Sequence, residues 1–515
     1  MKRSVKLFCI LFCLLLPIAI DNPAHGEQKE KKEQAEKSPQ ESFEEMRNKI
    51  ANEFDSTRTK TASDFEAMKK KIDEDFARML SNIWKEMELL EGLVPDTVPE
   101  PVKAPVARPA KTPPPPKPAP KDTVTVPKIV PEVKVPIPPP APPGIREKSA
   151  GVPFFGNDIT VRYDERFSFH LAGAPSPEVI SAAWLKLSGC DDETLKRFLL
   201  KTRDEFSLND WGYFLLLEDC ADAIYRGSPN EGTLFTWFML IKSGFDARIG
   251  WSGDRLYLLL PTVSTWYGTP YYNFDGRRYY IIPSRDGRIS AKSVYTYEGK
   301  YQSSVRQVDL SLIAPPEFPQ DVIRERYVFE YDGTYSVSAT VNKNLIELYK
   351  DYPQTDIDLY FQAPMNPDTR TELLAGLKKI LQGRNEAEAA NLLLRFVQTA
   401  FEYKRDDQQF GFEKSFFPDE TLFYPYSDCE DRAVLFSYLI RNLLGLEVVI
   451  LDYPGHIATA VCFNELVEGD YVTVGNRKFV VCDPTYIRAN CGESMAEYRN
   501  QKARVIPIKG SKVSG

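Results

Sequence analysis

Near the carboxy terminus, Cys429, His456 and Asp483 have the types and spacing of a thiol-based catalytic set. Cys429 stands just before the apolar run Val434 to Leu444, which ends at Gly445 and is too long for a typical strand. That run predicts a helix starting at Cys429, where unpaired backbone N–H groups and the positive end of the dipole favour a thiolate. Asp428, Glu430 and Asp431 oppose this wherever their carboxylates face the sulfur. Glu430 and Asp431 also suit a first helical turn, where they would cap the helix and face away. His456 opens the predicted strand His456 to Val461, after the strand Glu447 to Leu451 and the turn Tyr453-Pro454-Gly455. Asp483 follows the predicted strand Lys478 to Cys482 and leads into Pro484-Thr485-Tyr486. Both separations are 27 residues, so neighbouring strands can bring the histidine and the aspartate together. In such a set the imidazole takes the thiol proton and later protonates a leaving amine, while the carboxylate fixes the tautomer. The plainer reading is three ordinary core residues, since cysteine is often buried and a lone histidine often structural.

Cys-Glu-Asp at a helix start, Gly-His on the next strands and Asp-Pro-Thr after a strand together resemble the transglutaminase-like superfamily of papain-type folds. The resemblance covers about the last 130 residues, Glu372 to Pro507. It implies Cys429 as nucleophile, His456 as general base and Asp483 as orienting acid. Animal transglutaminases use a tryptophan upstream of the cysteine to stabilise the oxyanion, whereas all six tryptophans here, Trp84 to Trp266, lie far earlier. The oxyanion donors expected are therefore the Cys429 N–H and Gln408 or Gln409. This departure shifts the expectation from protein cross-linking toward hydrolysis of an amide or peptide bond in a peptide or protein substrate. Glutamine acyl transfer and a non-enzymatic scaffold are the alternatives.

The elements that carry this set form an α+β catalytic domain over residues 366–515. A degenerate second copy is expected over 151–295. At an offset of 201, Leu234, Phe235 and Gly244 match Leu435, Phe436 and Gly445, while Ser228, Arg255 and Ser284 fall where the triad stands. His170, on a predicted strand Ile159 to Leu171, reads as structural. A hairpin signal around Asp332-Gly333 suggests a small β unit over 296–365.

The amino-terminal quarter is of another kind. Lys2, Arg3 and Lys6 precede an apolar run, Leu7 to Ile20, and Ala24-His25-Gly26 offers a cleavage site, so residues 1–26 read as a signal peptide. Export to the periplasm or beyond the cell follows, with a cell-envelope partner. Residues 27–92 read as a helical stalk, because Phe43, Phe54, Phe65, Phe76 and Met87 recur every eleven residues, as do Met46, Thr57, Met68, Met79 and Leu90. The stalk either self-associates over 43–90 or lies on a domain or membrane surface. Of 40 prolines, 19 fall between Pro95 and Pro143, which makes 93–150 an extended, disordered tether without a packed core. A net charge of -8 argues against nucleic-acid binding. Three histidines and no Cys-x-x-Cys leave no metal site legible, and no cofactor is expected. Cleavage would leave six cysteines, whose pairing the sequence does not fix.

Overall fold

A computed structural model describes residues 39–82, 84–95, 103–108, 146–282, 289, 291–318, 324–331 and 333–508. Residues 1–26, expected to be a signal peptide, and most of the proline-rich stretch expected to be a tether lie outside the described residues. Contacts divide the chain into two units, Met1–Ala67 and Met68–Gly515. In the first, the described residues are helical, part of the helix Pro39–Leu80.

That helix is shorter than the stalk expected to reach Leu90. The Trp84 indole N–H donates to the Leu80 carbonyl at 2.7 Å, and its ring packs on Trp251 with centroids 4.5 Å apart. The chain then enters strand β1 (Lys85–Glu88), so Met87 follows a strand alternation instead of the eleven-residue step. The helix end belongs to the globular unit: Lys69 pairs with Asp192 at 2.8 Å, and buried Lys242 holds Asp73 at 2.5 Å. Phe76 is 4% exposed and meets Trp184 edge-on at 4.6 Å. Phe76→Ala is therefore expected to destabilise the globular unit by about 3–5 kcal/mol, read as a lower midpoint in urea.

The tether's borders are also ordered. Leu93 O accepts from Gly268 N at 2.7 Å, and Ala107 N donates to Ile487 O at 2.8 Å. Strand β2 (Glu147–Phe154) already starts inside the expected tether and pairs with β3 (Asn157–Asp164). Because β3 stops at Asp164, His170 lies beyond the strand that was to hold it. Its side chain is 86% exposed, with Nδ1 3.7 Å from Glu231.

Next come a helical layer and the antiparallel strands β4 (Arg248–Ser252), β5 (Arg255–Pro261), β6 (Tyr271–Phe274), β7 (Arg277–Ile281) and β8 (Ser293–Thr296). The sheet order is β1-β8-β4-β5-β7-β6. A hairpin of β9 (Arg324–Tyr331) and β10 (Tyr335–Asn342) follows. Tyr331 pairs with Tyr335, so the connection has three residues instead of a two-residue Asp-Gly turn, with Gly333 at φ 65°. The helices Lys343–Lys350 and Ile357–Gln362 follow the hairpin, so 296–365 is not a purely β unit. The hairpin braces the last domain: Phe329 and Tyr331 set their rings 5.9 and 5.2 Å from Phe396.

In the last domain a short parallel bridge joins β11 (Glu402–Tyr403) to β12 (Tyr426–Ser427), just ahead of the helix Cys429–Leu443. The antiparallel strands β13 (Glu447–Tyr453), β14 (His456–Cys462), β15 (Tyr471–Val474), β16 (Arg477–Cys482) and β17 (Arg504–Pro507) complete it. Their order, β15-β16-β14-β13-β17, repeats β6-β7-β5-β4-β8 strand for strand. Each set follows a helix, Cys429–Leu443 here and Pro229–Lys242 before. The hairpins close on matching pairs, Ser252 with Arg255 and Tyr453 with His456. The two segments thus share a strand order and a preceding helix. In it Ser228 precedes the helix and Arg255 opens β5; Ser284 lies outside the described residues.

Candidate active site

The helix beginning at Cys429 is buried along its whole first three turns, from Cys429 to Ile440. Its start is fixed by Asp431, which accepts the N–H groups of Asp428 (3.2 Å) and Phe416 (2.9 Å). Arg432 anchors it from behind, donating to Ser427 Oγ at 3.1 Å and Phe401 O at 2.9 Å. On the sheet, Gly455 takes φ 73° in the tight turn that places His456 at the head of β14. Thr459 pairs with Cys482, so Asp483 leaves β16 diagonally across from His456 on the same face.

The histidine and the aspartate meet: His456 Nε2 lies 2.9 Å from Asp483 Oδ2. Asp483 Oδ1 accepts the N–H groups of Thr485 (2.9 Å) and Tyr486 (3.2 Å), which explains the use of a tight Asp-Pro-Thr turn here. Gln398 steadies that turn by donating to the carbonyls of Asp483, Tyr486 and Ala489. Tyr498 stacks on the imidazole at 4.8 Å. The other ring nitrogen, Nδ1, is buried and has no hydrogen-bond partner.

Cys429 is adjacent but not engaged with the ring. Its Sγ accepts the N–H of Ile457, the residue after His456, at 3.4 Å, and its thiol donates to Glu430 Oε2 at 3.1 Å. Glu430 therefore faces the sulfur, against the expectation that it faces away. Burial pushes the Cys429 thiol well above its ordinary range, and Asp428 adds to this, while the Glu430 and Ile457 hydrogen bonds pull the other way. The helix N-terminus does not win against desolvation, and the thiol is neutral in this arrangement.

The glutamines expected at the oxyanion site fare unequally. Gln408 is exposed, and no hydrogen bond joins Gln409 to the site, although its Oε1 is buried without a partner. Both sit on the short helix Asp406–Gln409, whose direction the sequence does not reveal. The better donor is Tyr403, which the β11–β12 bridge sets against Ser427. Its hydroxyl is buried without a partner, and burial, then the Cys429 thiol beside it, push its pKa up, so it stays a neutral donor. An aromatic residue with a donor, upstream of the cysteine, is the feature sought only among tryptophans.

Asp406, Glu413, Asp428 and Glu430 each bring one carboxylate oxygen to within 4.8 Å of the others. Both oxygens of fully buried Asp428 have no hydrogen-bond partner. Burial, then the neighbouring charge of Asp431, pushes Asp406 up to about 9, and burial pushes Asp428 and Glu430 up as well. Such a group must either share protons or hold a cation. Oxygens this close match opposite sides of a calcium ion bound at about 2.4 Å, and an all-carboxylate set suits a hard divalent cation. The expectation of no metal rests on histidine and cysteine spacing, which does not read carboxylates that come together from separate segments.

A cavity of about 310 Å³ opens beside the thiol. Glu430 and Ile457, which hold the Cys429 sulfur, line it together with Asp356 and Arg504, and Tyr267 contributes a wall from the amino-terminal half. The Tyr267 hydroxyl donates to Asp356 Oδ1 at 3.2 Å, so the earlier half helps to build the wall of this cavity.

No family model matches the chain, and neither the curated proteins nor the solved structures searched gave a match.

Proposed function

We propose that this chain is an exported cysteine hydrolase of transglutaminase-like type that cleaves amide or peptide bonds in a peptide or protein. The observation that carries the reading is the His456–Asp483 hydrogen bond, which leaves His456 Nδ1 buried and unpartnered beside a helix-starting cysteine. An imidazole held through Nε2 presents Nδ1 as the base, and the Asp483 carboxylate stabilises the imidazolium formed when Nδ1 takes the thiol proton. The thiolate adds to the carbonyl carbon of the scissile amide, and the Tyr403 hydroxyl donates to the oxygen that gains charge. His456 returns its proton to the leaving amine as the C–N bond breaks. Water, deprotonated by the same imidazole, then releases the acid from the thioester. Asp406, Glu413, Asp428 and Glu430 would hold a hard cation, which supplies positive charge beside the thiol.

The neutral, buried thiol on Glu430 favours a second reading, a folded scaffold without catalysis. A peptidyl acyloxymethyl ketone with a reporter tag separates the two. As an enzyme, the protein takes up the tag at Cys429 alone among its cysteines, located by peptide mapping. As a scaffold it takes up none without denaturation. A glutamine acyltransferase would form an amide with an added primary amine in preference to releasing the acid into water.

A further inference from the structure

The first two thirds of the helix Pro39–Leu80 carry an apolar seam that, among the described residues, nothing covers. Met46, Phe54, Phe65 and Met68 are all more than half exposed. With Thr57 and Thr61 they fall on steps of 3 and 4 that repeat every eleven residues, which holds a narrow stripe on one side of a helix. Thr61 Oγ1 donates to Thr57 O at 2.8 Å, so its hydroxyl is satisfied within the helix and its methyl is fit for burial.

The seam's flanks carry opposite charge. On one side, at eleven-residue spacing, stand Arg47, Arg58 and Lys69; on the other stand Glu53, Asp64 and Asp75. Two copies laid parallel and in register bring the basic flank of each against the acidic flank of the other. Glu53 then faces Arg58 of the second copy, five residues on, as flanking positions pair in coiled coils. An antiparallel pair would set like charge against like. A helix lying on a membrane has a broad apolar face and a polar face rich in lysine and arginine. Residues 43–67 instead have a narrow seam and six acidic against four basic residues.

We propose that two copies of this chain associate through residues 46–68 as a parallel, in-register coiled coil, with Glu53 of each copy facing Arg58 of the other. The seam's end, at Phe76, is buried within the globular unit, so the association is confined to the segment before it. The eleven-residue step makes this coil straight or slightly right-handed.

Light scattering coupled to gel filtration of the whole exported chain reads the result directly. The expected mass is that of two chains, falling to one in Phe54→Ser/Phe65→Ser while the urea midpoint of the globular unit is unchanged. Glu53→Arg or Arg58→Glu alone is expected to raise the dissociation constant about tenfold, and the two together to restore it. Thr61→Cys, at the centre of the seam, should form a covalent dimer with its own copy under mild oxidation. A single-chain mass at every concentration, binding to lipid vesicles as a monomer, or no rescue by the double reversal would overturn the proposal.

Discussion

His456→Ala is expected to slow modification of Cys429 by a peptidyl acyloxymethyl ketone by about 10²–10⁴-fold, the usual range for loss of a positioned base. Burial holds the thiol neutral, so without the imidazole no group beside it accepts its proton at a useful pKa. Glu430 is not a substitute, because burial has already pushed its own pKa up. Asp483→Asn should fall between the variant and wild type, since the ring keeps a partner at Nε2 but loses the charge that stabilises an imidazolium. A small neutral alkylating agent applied to denatured protein should react equally in all three, which separates lost activation from a lost cysteine. Equal labelling of native wild type and His456→Ala would remove the histidine from the mechanism. His456 is fully buried, so circular dichroism and the urea midpoint must show that the variant still folds.

Calcium is expected to raise the unfolding temperature of the purified chain, and a chelator to lower it again. The four carboxylates of the cluster are close enough to oppose one another, and a bound divalent ion removes that repulsion only in the folded state. At about 100 times its dissociation constant a ligand adds about 2.7 kcal/mol, which is several degrees in a chain of this size. Asp428→Asn should abolish most of the response, because its oxygens have no other partner. Magnesium should shift the curve less, since it demands tighter octahedral geometry and gives up water reluctantly. Identical melting curves in calcium and in chelator would show that the carboxylates share protons instead.

Local chemistry was legible in the sequence wherever one segment carries its own signal. The helix start at Cys429 shows in an apolar run ended by Gly445, and the structure begins the helix at that residue. The β13–β14 hairpin shows in Pro454-Gly455, and the turn after β16 in Asp-Pro-Thr. Partners from distant segments were not legible. Tyr403 reaches the site because a two-residue bridge pairs it with Ser427, which no periodicity announces. Gln408 looked available only because a four-residue helix has no readable face. The sequence stripe continues in register to Leu90, yet the helix ends ten residues earlier, because Trp84 caps it from a site built by Trp251.

The sequence by itself determined the triad candidates, their order and their elements, because helix starts and tight turns depend on neighbours along the chain. It also determined the eleven-residue seam and the opposite charge of its flanks. Only the tertiary structure decided how the site stands at rest. It set Glu430 toward the sulfur, gathered four carboxylates from two segments, left His456 Nδ1 without a partner, and brought Tyr267 to the cavity wall. Each of these depends on burial and on distances through space, which spacing along a chain does not encode.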